Sequence, residues 1–391
     1  MNGVSVPGSG THNIFASYGG DASRTVSQSS TVPLTAFSKT TPIVTVSCSP
    51  SVLTYGTQNS TCTASVGGGA TGTVAFAWDG NAWSTPTLSG VVATATGFAG
   101  MPVGTYTVSV VYSGDSNNNP ASASTTLTIS KSPLTITLNA ASRAYGAANP
   151  VFTGFITGML AGDGITATYA SAATAMTVAG VYSSGANAIS STLSDPNGKL
   201  GNYTVTQNVG TLTITRVMPA VTLTSPTNPA TYGTSMTFNA QTPSSATGTM
   251  SFLDGATLLG TGTISGGVAT FTTNTLFTGP HSLTASYPGD TNYSAAVSPV
   301  VAQVITKTSA TMSMTSSKNP SSYGDVVTFT VTAAGLAGLP NPSGSVTVSD
   351  GSTVLAVVTL NGSGVATDTL QTLTAGSHSL SAVYGGDANY Q

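Results

Sequence analysis

Hydrophobic and polar residues alternate along most of this chain, which is the pattern of β-strands that bury one face. In the segment SLTASY, the apolar residues Leu283, Ala285 and Tyr287 are separated by Thr and Ser. The same alternation recurs in the pairs Val74/Phe76, Met250/Phe252 and Val346/Val348. Each of these pairs is followed by Asp-Gly, a hairpin signal because glycine accepts a positive φ. Short strands separated by turn signals predict a β-sandwich.

The same short phrases recur at a nearly fixed spacing, so the chain is built from repeats. A Tyr-Gly landmark opens three of the units, at 55–56, 232–233 and 323–324. Tyr-x-Gly-Asp lies near the end of four units, at 18–21, 112–115, 287–290 and 384–387. In the three longest copies the Asp of Asp-Gly precedes the Asp of Gly-Asp by 36, 36 and 37 positions. We infer that one fold has been copied along the chain.

Short basic phrases beginning at Lys39, Lys131, Arg216 and Lys307 mark the borders between units. They divide the 391 residues into five predicted segments. These are a partial unit holding only last strands (1–39), three sandwiches (40–130, 217–306 and 307–391) and a different β-rich domain (131–216). The last sandwich lacks its final strand, so we expect both ends of the chain to be cut inside a repeat. Such brief junctions leave little slack and predict an extended, semi-rigid array.

The repeated units resemble the bacterial Ig-like domains of group 3, on the strength of their Tyr-Gly, Asp-Gly and Tyr-x-Gly-Asp phrases. Residues 131–216 resemble the MBG domain, on the phrases Arg143-Ala-Tyr-Gly-Ala-Ala-Asn-Pro150 and Asn202-Tyr-Thr-Val. The resemblance implies tandem Ig-like β-sandwiches in a large secreted or cell-surface bacterial protein. It brings no catalytic motif, and the MBG domain implies a mucin-binding role.

Composition narrows the possible partners. Only 5% of the residues are charged, the net charge is −3, and the eight Lys and Arg residues are scattered. Nucleic-acid binding is therefore not expected, because it depends on clustered cations. No apolar run is long enough to span a membrane. The first residues lack the features of a signal peptide, yet low charge and abundant Ser and Thr favour an extracellular or cell-surface location.

The histidines are the most tempting catalytic candidates. His12, His281 and His378 occupy one equivalent position, where the second unit has Tyr106. They lie in separate domains, so they are not expected to share a triad or a metal. Their position resembles the tyrosine corner of Ig-type sandwiches, in which a side chain bonds a nearby backbone group. We therefore predict no enzyme activity and no cofactor.

The repeated acidic residues have two interpretations. Asp21, Asp115, Asp290 and Asp387 are candidates for calcium ligands, but calcium takes six to eight oxygens and the chain contains no Glu. A carboxylate that accepts backbone N–H bonds in a turn explains the repetition with fewer requirements. The sequence favours the turn.

The two cysteines and two tryptophans are confined to the first complete unit. Cys48 shares a face with Val44 and Val46, and Cys62 aligns with apparent core positions, so we predict a disulfide, with two buried free thiols as the alternative. Trp78 and Trp83 flank a hairpin. They form either a platform for stacking sugars or a cover for the edge of the sandwich.

The predicted function is that of a non-catalytic extracellular structural protein, a stalk, adhesin or fibre segment. Its partners are expected to be neighbouring domains or other copies of itself. A glycan- or mucin-binding adhesin, or accessory domains of a secreted carbohydrate-active enzyme, remains the alternative.

A finer hypothesis concerns assembly between chains. The open last sandwich is a candidate acceptor for strands from the start of a second copy, which would build a head-to-tail polymer. The candidate donor segment lies at the N-terminal end of the chain and contains Arg24, Val26, Val32, Leu34 and Phe37. Truncation of a longer gene is the simpler explanation of the same open ends.

Overall fold

The computed structural model describes residues 8–391, and they form an almost entirely β protein. Within this range, the one regular element that is not a strand is a 3-10 helix, Leu200–Asn202. The chain folds as two compact units. Among the described residues, the first contains 8–141, 151–172 and 182–212, and the second contains 142–150, 173–181 and 213–391. The prediction of an all-β chain is confirmed.

The first described segment forms two small antiparallel ladders. Its strands are β1 Gly10–Ile14, β2 Ser17–Tyr18, β3 Ser27–Gln28 and β4 Val32–Ala36. Strand β1 pairs with β4, and β2 pairs with β3. The opposed pairs His12/Leu34 and Ile14/Val32 place their side chains on one face of the ladder.

Residues 40–130 form a sandwich of two sheets. The strands are β5 Val44–Ser49, β6 Val52–Thr54, β7 Ser60–Val66, β8 Val74–Trp78, β9 Asn81–Ser84, β10 Val92–Gly97, β11 Gly104–Tyr112 and β12 Ala121–Ser130. One sheet has the order β10-β7-β5 and the other β6-β12-β11-β8-β9. The predicted hairpin joins β8 to β9 through Asp79 and Gly80, which both have a positive φ.

Residues 131–216 contain eight shorter strands. They are β13 Ser132–Leu138, β14 Ala141–Ala144, β15 Gly154–Thr157, β16 Thr166–Ala170, β17 Gly180–Tyr182, β18 Ser190–Ser194, β19 Tyr203–Gln207 and β20 Leu212–Thr215. In the first unit, β13 pairs antiparallel with β15 and parallel with β19, while β16 pairs with β18. This pairing differs from that of the sandwiches, in agreement with the different sequence spacing.

Residues 217–306 repeat the sandwich. The strands are β21 Thr222–Thr224, β22 Ala230–Thr231, β23 Met236–Gln241, β24 Thr249–Asp254, β25 Thr257–Thr263, β26 Val268–Thr273, β27 Gly279–Tyr287, β28 Ala296–Val297 and β29 Val301–Thr306. The sheets are β21-β23-β26 and β22-β29-β27-β24-β25. Strand β27 pairs with β24 on one side and with β28 and β29 on the other.

Residues 307–391 form a third sandwich with a shorter second sheet. The strands are β30 Thr311–Ser316, β31 Val327–Ala334, β32 Ser345–Asp350, β33 Thr353–Thr359, β34 Val365–Leu370 and β35 Leu380–Tyr384. The sheets are β30-β31-β34 and β33-β32-β35. Within the described residues, β35 pairs with β32 alone, whereas the equivalent strands β11 and β27 pair on both sides.

The alternating apolar residues supply the cores. Phe76, Phe252 and Val348 are at most 2% exposed, and so are Leu283, Ala285 and Tyr287. In the same sandwich as Phe76, a disulfide joins Cys48 of β5 to Cys62 of β7, which face each other directly across the ladder. The bond therefore crosses strands within one sheet and does not connect the two sheets.

Removing this disulfide should destabilise the first sandwich selectively. Because the bond closes a segment with a sequence separation of 14, loop entropy predicts a loss of about 3 kcal/mol for Cys48→Ala/Cys62→Ala. Urea unfolding monitored by Trp78 and Trp83 fluorescence measures that sandwich. The cysteine-free sandwich at 217–306 is the internal control, followed by hydrogen exchange. An unchanged urea midpoint would contradict the prediction.

Candidate functional site: the joints between domains

Two of the three candidate histidines, His281 and His378, bind groups of their own domains, as expected for a structural role. His281 Nδ1 lies 2.7 Å from Asp254 Oδ2, and its Nε2 lies 2.7 Å from the Phe277 carbonyl oxygen. His378 contacts Asp350 and the Thr374 carbonyl in the same way. The Thr374 carbonyl and the Asp350 carboxylate both accept hydrogen bonds, so they raise the pKa of His378.

Tyr106 plays the same part in the first sandwich. Its hydroxyl donates to the Pro102 carbonyl, four residues upstream, at 2.7 Å. The side chain at this position thus fastens the start of the strand to the preceding loop, which is the tyrosine-corner role predicted for it. His12 lies on β1, in a segment without a sandwich of its own.

The repeated Gly-Asp residues hold turns, as predicted. Asp290 Oδ1 accepts the N–H groups of Asn292 and Tyr293 at 2.7 and 2.8 Å. Its Oδ2 accepts the N–H of Thr247, on a different loop, at 3.0 Å. Asp115 and Asp387 make equivalent bonds. Each carboxylate therefore fixes the second and third residues after it in the turn.

In the last two sandwiches those two residues are Asn-Tyr, and their side chains contact the neighbouring domain. Asn389 Oδ1 accepts the N–H of Thr278 in the preceding sandwich at 3.1 Å. Tyr390 packs edge-on against Tyr232 of that sandwich, with ring centroids 5.5 Å apart. Both tyrosines are 1% exposed, so the contact continues the core from one domain into the next.

We call this pair of contacts between neighbouring domains, an asparagine oxygen on a backbone N–H and two tyrosines packed edge-on, a joint. A second joint with the same contacts lies in the first unit. Asn202 Oδ1 accepts the N–H of Val103 at 3.0 Å, and Tyr203 packs edge-on against Tyr55 at 5.5 Å. The buried carboxylate of Asp163 accepts hydrogen bonds from both tyrosine hydroxyls. Burial, followed by the bond to Asp163, raises the pKa of Tyr203 to about 12, and the same causes raise the pKa of Tyr55. Both hydroxyls therefore stay protonated donors at physiological pH.

A third joint links the MBG-like segment to the second complete sandwich inside the second unit. Asn292 Oδ1 accepts the N–H of Ala179 at 3.0 Å, and Tyr293 packs edge-on against Tyr145 at 5.6 Å. In all three joints the donor N–H immediately precedes a glycine at the start of a strand, namely Gly104, Gly180 or Gly279. The joint is therefore a repeated device.

Glycine is required at two of these joints by close packing. Gly56 has a positive φ, and a Cβ added there would lie 2.8 Å from the side chain of Leu160 in the next domain. Gly233 likewise has a positive φ, and an added Cβ would lie 2.1 Å from Leu336. The Tyr-Gly landmark thus supplies a ring for the joint and a space for a leucine.

The two tryptophans are half-buried in an aromatic cluster. Trp78 packs edge-on against Tyr106, and Trp83 packs against Phe76 and Phe98. Both touch the core of the first sandwich, and Trp83 also lies over Gly97. Each indole is therefore packed against the core on one side and remains partly in contact with solvent.

The proposed donor residues are mostly exposed. Val26, Val32, Leu34 and Phe37 expose 72, 64, 44 and 87% of their surface. Arg24 lies apart from β4, in a turn where it forms an isolated bridge with Asp21.

Phe37 stands two positions before Lys39, as Ile129, Ile214 and Ile305 stand before Lys131, Arg216 and Lys307. Those three isoleucines are each 2% exposed, whereas Phe37 is 87% exposed. Phe37 therefore stands where the other units have a buried residue of their final strand, but it is itself exposed in the described chain.

Sequence reasoning missed the asparagines of the joints. The signal was present, because Asn-Tyr follows Gly-Asp-x at 292–293 and 389–390 and recurs at 202–203. An isolated Asn next to a Tyr, however, does not indicate whether it serves its own domain or its neighbour.

The repeated sandwich geometry agrees with a known family. The family model described as "Bacterial Ig-like domain (group 3)" matches residues 45–130, 223–306 and 314–391. The chain belongs to the bacterial Ig-like group 3 family. A second family model, "MBG domain (YGX type)", matches residues 134–213 of this Ig-like chain. Comparison with the curated proteins gives no match.

Solved structures of low identity also align with the Ig-like chain. They include FdeC, an Escherichia coli adhesin, at 13% identity, covering 69% of this chain and 99% of that one, with a TM-score of 0.26. The fibronectin(III)-like modules of Clostridium thermocellum CbhA align at 18% identity, covering 44% and 87%, with a TM-score of 0.19.

Two further observations concern metal sites and membrane-spanning helices. Across residues 8–391, no three side chains of the His, Cys, Asp and Glu types come together as a candidate metal site. The same residues contain no helix with the length and apolarity needed to cross a membrane.

Removing one joint asparagine should loosen one joint. Asn389→Ala leaves the Thr278 N–H without its acceptor, at a cost of about 1 kcal/mol. Hydrogen exchange at Thr278 should become about fivefold faster, since about 1.4 kcal/mol corresponds to a factor of ten and the loss is about 1 kcal/mol. The exposed Asn274, which lies outside the joint, provides the control Asn274→Ala. Equal exchange in both variants would contradict the joint.

Acid should weaken the turns that present the joints. Burial tends to raise the pKa of Asp290, but the N–H groups of Tyr293, Asn292 and Thr247 outweigh it and lower the pKa to about 2. A lowered folded-state pKa contributes stability above the unfolded value near 3.8, and this stability is lost as the pH falls towards 2. The urea midpoint of this Ig-like domain should therefore drop between pH 4 and pH 2. Asp290→Asn should be less stable at pH 7 and show a flatter profile.

Proposed function

We propose that this chain is part of a bacterial surface stalk or adhesin whose function is mechanical. Its Ig-like and MBG domains are coupled to their neighbours by the Asn-Tyr joints, so that load or orientation passes from one domain to the next. The single observation that carries the proposal is the recurrence of one joint between different domain types. A device that is kept when the domain type changes serves the connection between domains.

We also propose that the protein is not an enzyme. The polar groups that suggest chemistry are used within the fold, since His281 and His378 each contact a carboxylate and a carbonyl. The Asp290 carboxylate accepts three backbone N–H groups. No nucleic acid, cofactor or membrane span takes part in the proposed function.

We place the protein outside the cell. Ig-like group 3 and MBG domains are typical of bacterial surface proteins, and the Cys48–Cys62 bond suits an oxidising compartment. Antibodies against the folded chain should label intact, unpermeabilised cells of the source bacterium. Labelling that appears only after permeabilisation would overturn the location.

The mechanical role has its own test. Spin labels on exposed positions of the last two sandwiches report the distribution of distances across their joint. Asn389→Ala together with Gly233→Ala should broaden this distribution, because the first removes the hydrogen bond and the second collides with Leu336. Asn274→Ala is the matched control. Equal widths in all samples would mean that the joint does not couple the domains.

A finer form of the function is head-to-tail assembly by strand addition. Strand β35 has one unpaired edge among the described residues, and Val32, Leu34 and Phe37 form an exposed closing-strand segment. We propose that this segment of one copy adds to β35 of another, with Phe37 entering the open core. A heterologous contact of this kind propagates into filaments.

Electron microscopy across a concentration series tests strand addition. Filaments that lengthen with concentration and disappear in Phe37→Ser would support it. Val151→Ser, which changes an equally exposed residue outside the donor segment, is the control. Short particles at every concentration would rule it out.

Glycan or mucin binding remains the second candidate, with or without an attached carbohydrate-active enzyme. The MBG domain motivates it, and the partly exposed rings of Trp78 and Trp83 are the proposed sugar platform. Binding on a glycan array that is lost in Trp78→Ala would support this candidate. Absence of binding to every glycan tested would exclude it.

A further inference from the structure

The last sandwich carries a fourth copy of the surface that receives a joint. Tyr323-Gly324 corresponds to Tyr55-Gly56 and Tyr232-Gly233, and Ala375-Gly376 corresponds to Val103-Gly104 and Thr278-Gly279. These two pairs line one open cleft of about 160 Å³, beside Thr374 and His378. We call this cleft the Tyr323 socket.

The groups that are satisfied in the other joints are open in the Tyr323 socket. Tyr323 is 81% exposed, whereas Tyr55 and Tyr232 are 4% and 1% exposed. An added Cβ at Gly324 would meet nothing within 4 Å, as at Gly146 of the third joint, whereas one at Gly56 or Gly233 would contact a leucine of the next domain. No hydrogen bond from the Ala375 N–H occurs within residues 8–391.

Each part of the socket has a known complement. In the three joints the N–H before the strand glycine donates to an asparagine side-chain oxygen, at 3.0 to 3.1 Å. In the same joints the Tyr of Tyr-Gly meets a second tyrosine edge-on, at 5.5 to 5.6 Å. The complement comes from an Ig-like domain twice and from the MBG domain once.

We propose that the Tyr323 socket is a docking site for an Ig-like or MBG domain that presents an Asn-Tyr turn. Its asparagine accepts the Ala375 N–H, and its tyrosine packs edge-on against Tyr323. The socket therefore selects by turn sequence and not by charge, in keeping with a chain that is only 5% charged. This deepens the proposed stalk function by naming the partner chemistry of one exposed face.

The occupant is a domain that follows a closing strand, because every filled joint has that arrangement. In the preceding sandwich β29 completes the sheet beside β27, and the next domain begins at once with Lys307. A second copy that docks through Asn117 is a weaker candidate. Its turn has Asn118 in place of the tyrosine, and this residue is 1% exposed and bound to Asp115.

Chemical modification of Tyr323 in a lengthened chain tests the proposal. The full chain is extended after Gln391 by a second copy of residues 295–391, which supplies a closing strand and a domain with an Asn-Tyr turn. The appended copy carries Tyr323→Phe, so that the original Tyr323 is read alone by peptide mapping after nitration. Its nitration should slow from the rate in the unextended chain towards that of the buried Tyr232.

The matched control carries Asn389→Ala in the appended copy only. It should restore much of the Tyr323 reactivity, because the hydrogen bond to Ala375 is lost. Resistance to thermolysin checks that the appended domain is folded. If it is not, the extension is rebuilt as residues 295–306 followed by 131–216, whose turn is Asn202-Tyr203. Full Tyr323 reactivity beside a folded extension overturns the proposal.

A concentration series of the unextended chain tests the alternative occupant, a second copy of the chain. Tyr323 protection that grows with concentration and disappears in Asn117→Ala would assign the socket to a second copy and overturn the proposed partner. These outcomes are independent of the stalk function itself. Spin-label widths at the existing joint test that function without reference to Tyr323.

Discussion

The joints of the last two sandwiches depend on one interaction, the hydrogen bonds that a turn carboxylate accepts from backbone N–H groups. Asp290 and Asp387 each accept the N–H groups of the second and third residues after them and one N–H from a separate loop. This fixes the direction in which the Asn-Tyr pair leaves the turn. The joint needs both side chains placed together, the asparagine oxygen at a backbone N–H and the tyrosine edge at a second ring. Without the carboxylate, the pair would lose this preorganisation.

The joints are neutral, and this matters for a chain with so few charges. A hydrogen bond contributes about 0.5–1.5 kcal/mol and an edge-to-face ring pair a similar amount. Neither depends strongly on salt, in contrast to ion pairs between exposed side chains. A joint of this kind holds adjacent domains equally well across ionic strengths. The Leu160 and Leu336 contacts on glycine add apolar burial at two of the three joints.

Residue types that suggest chemistry in the sequence serve architecture in the structure. His281 and His378 fasten strand starts to loops, Asp290 holds a turn, and Asp163 binds two tyrosine hydroxyls across a joint. The tryptophans complete an aromatic edge. These residue types recur because each domain copy needs the same structural contacts, so their repetition reflects the repeated fold.

Periodicity and turn chemistry were sufficient to predict the all-β class, the Asp-Gly hairpins and the turn role of the Gly-Asp residues. These depend on contacts between residues close in the chain or on a face set by alternation. The joints were not predictable in the same way. Asn389 meets Thr278 and Tyr390 meets Tyr232 across more than a hundred residues, and no local pattern states that two such groups face each other. The alternation also predicts that Phe37 belongs to a core, but it does not say which core. Only the tertiary structure decided that Tyr232 is covered and Tyr323 is open, because burial at a joint depends on the neighbouring domain and not on the residue itself.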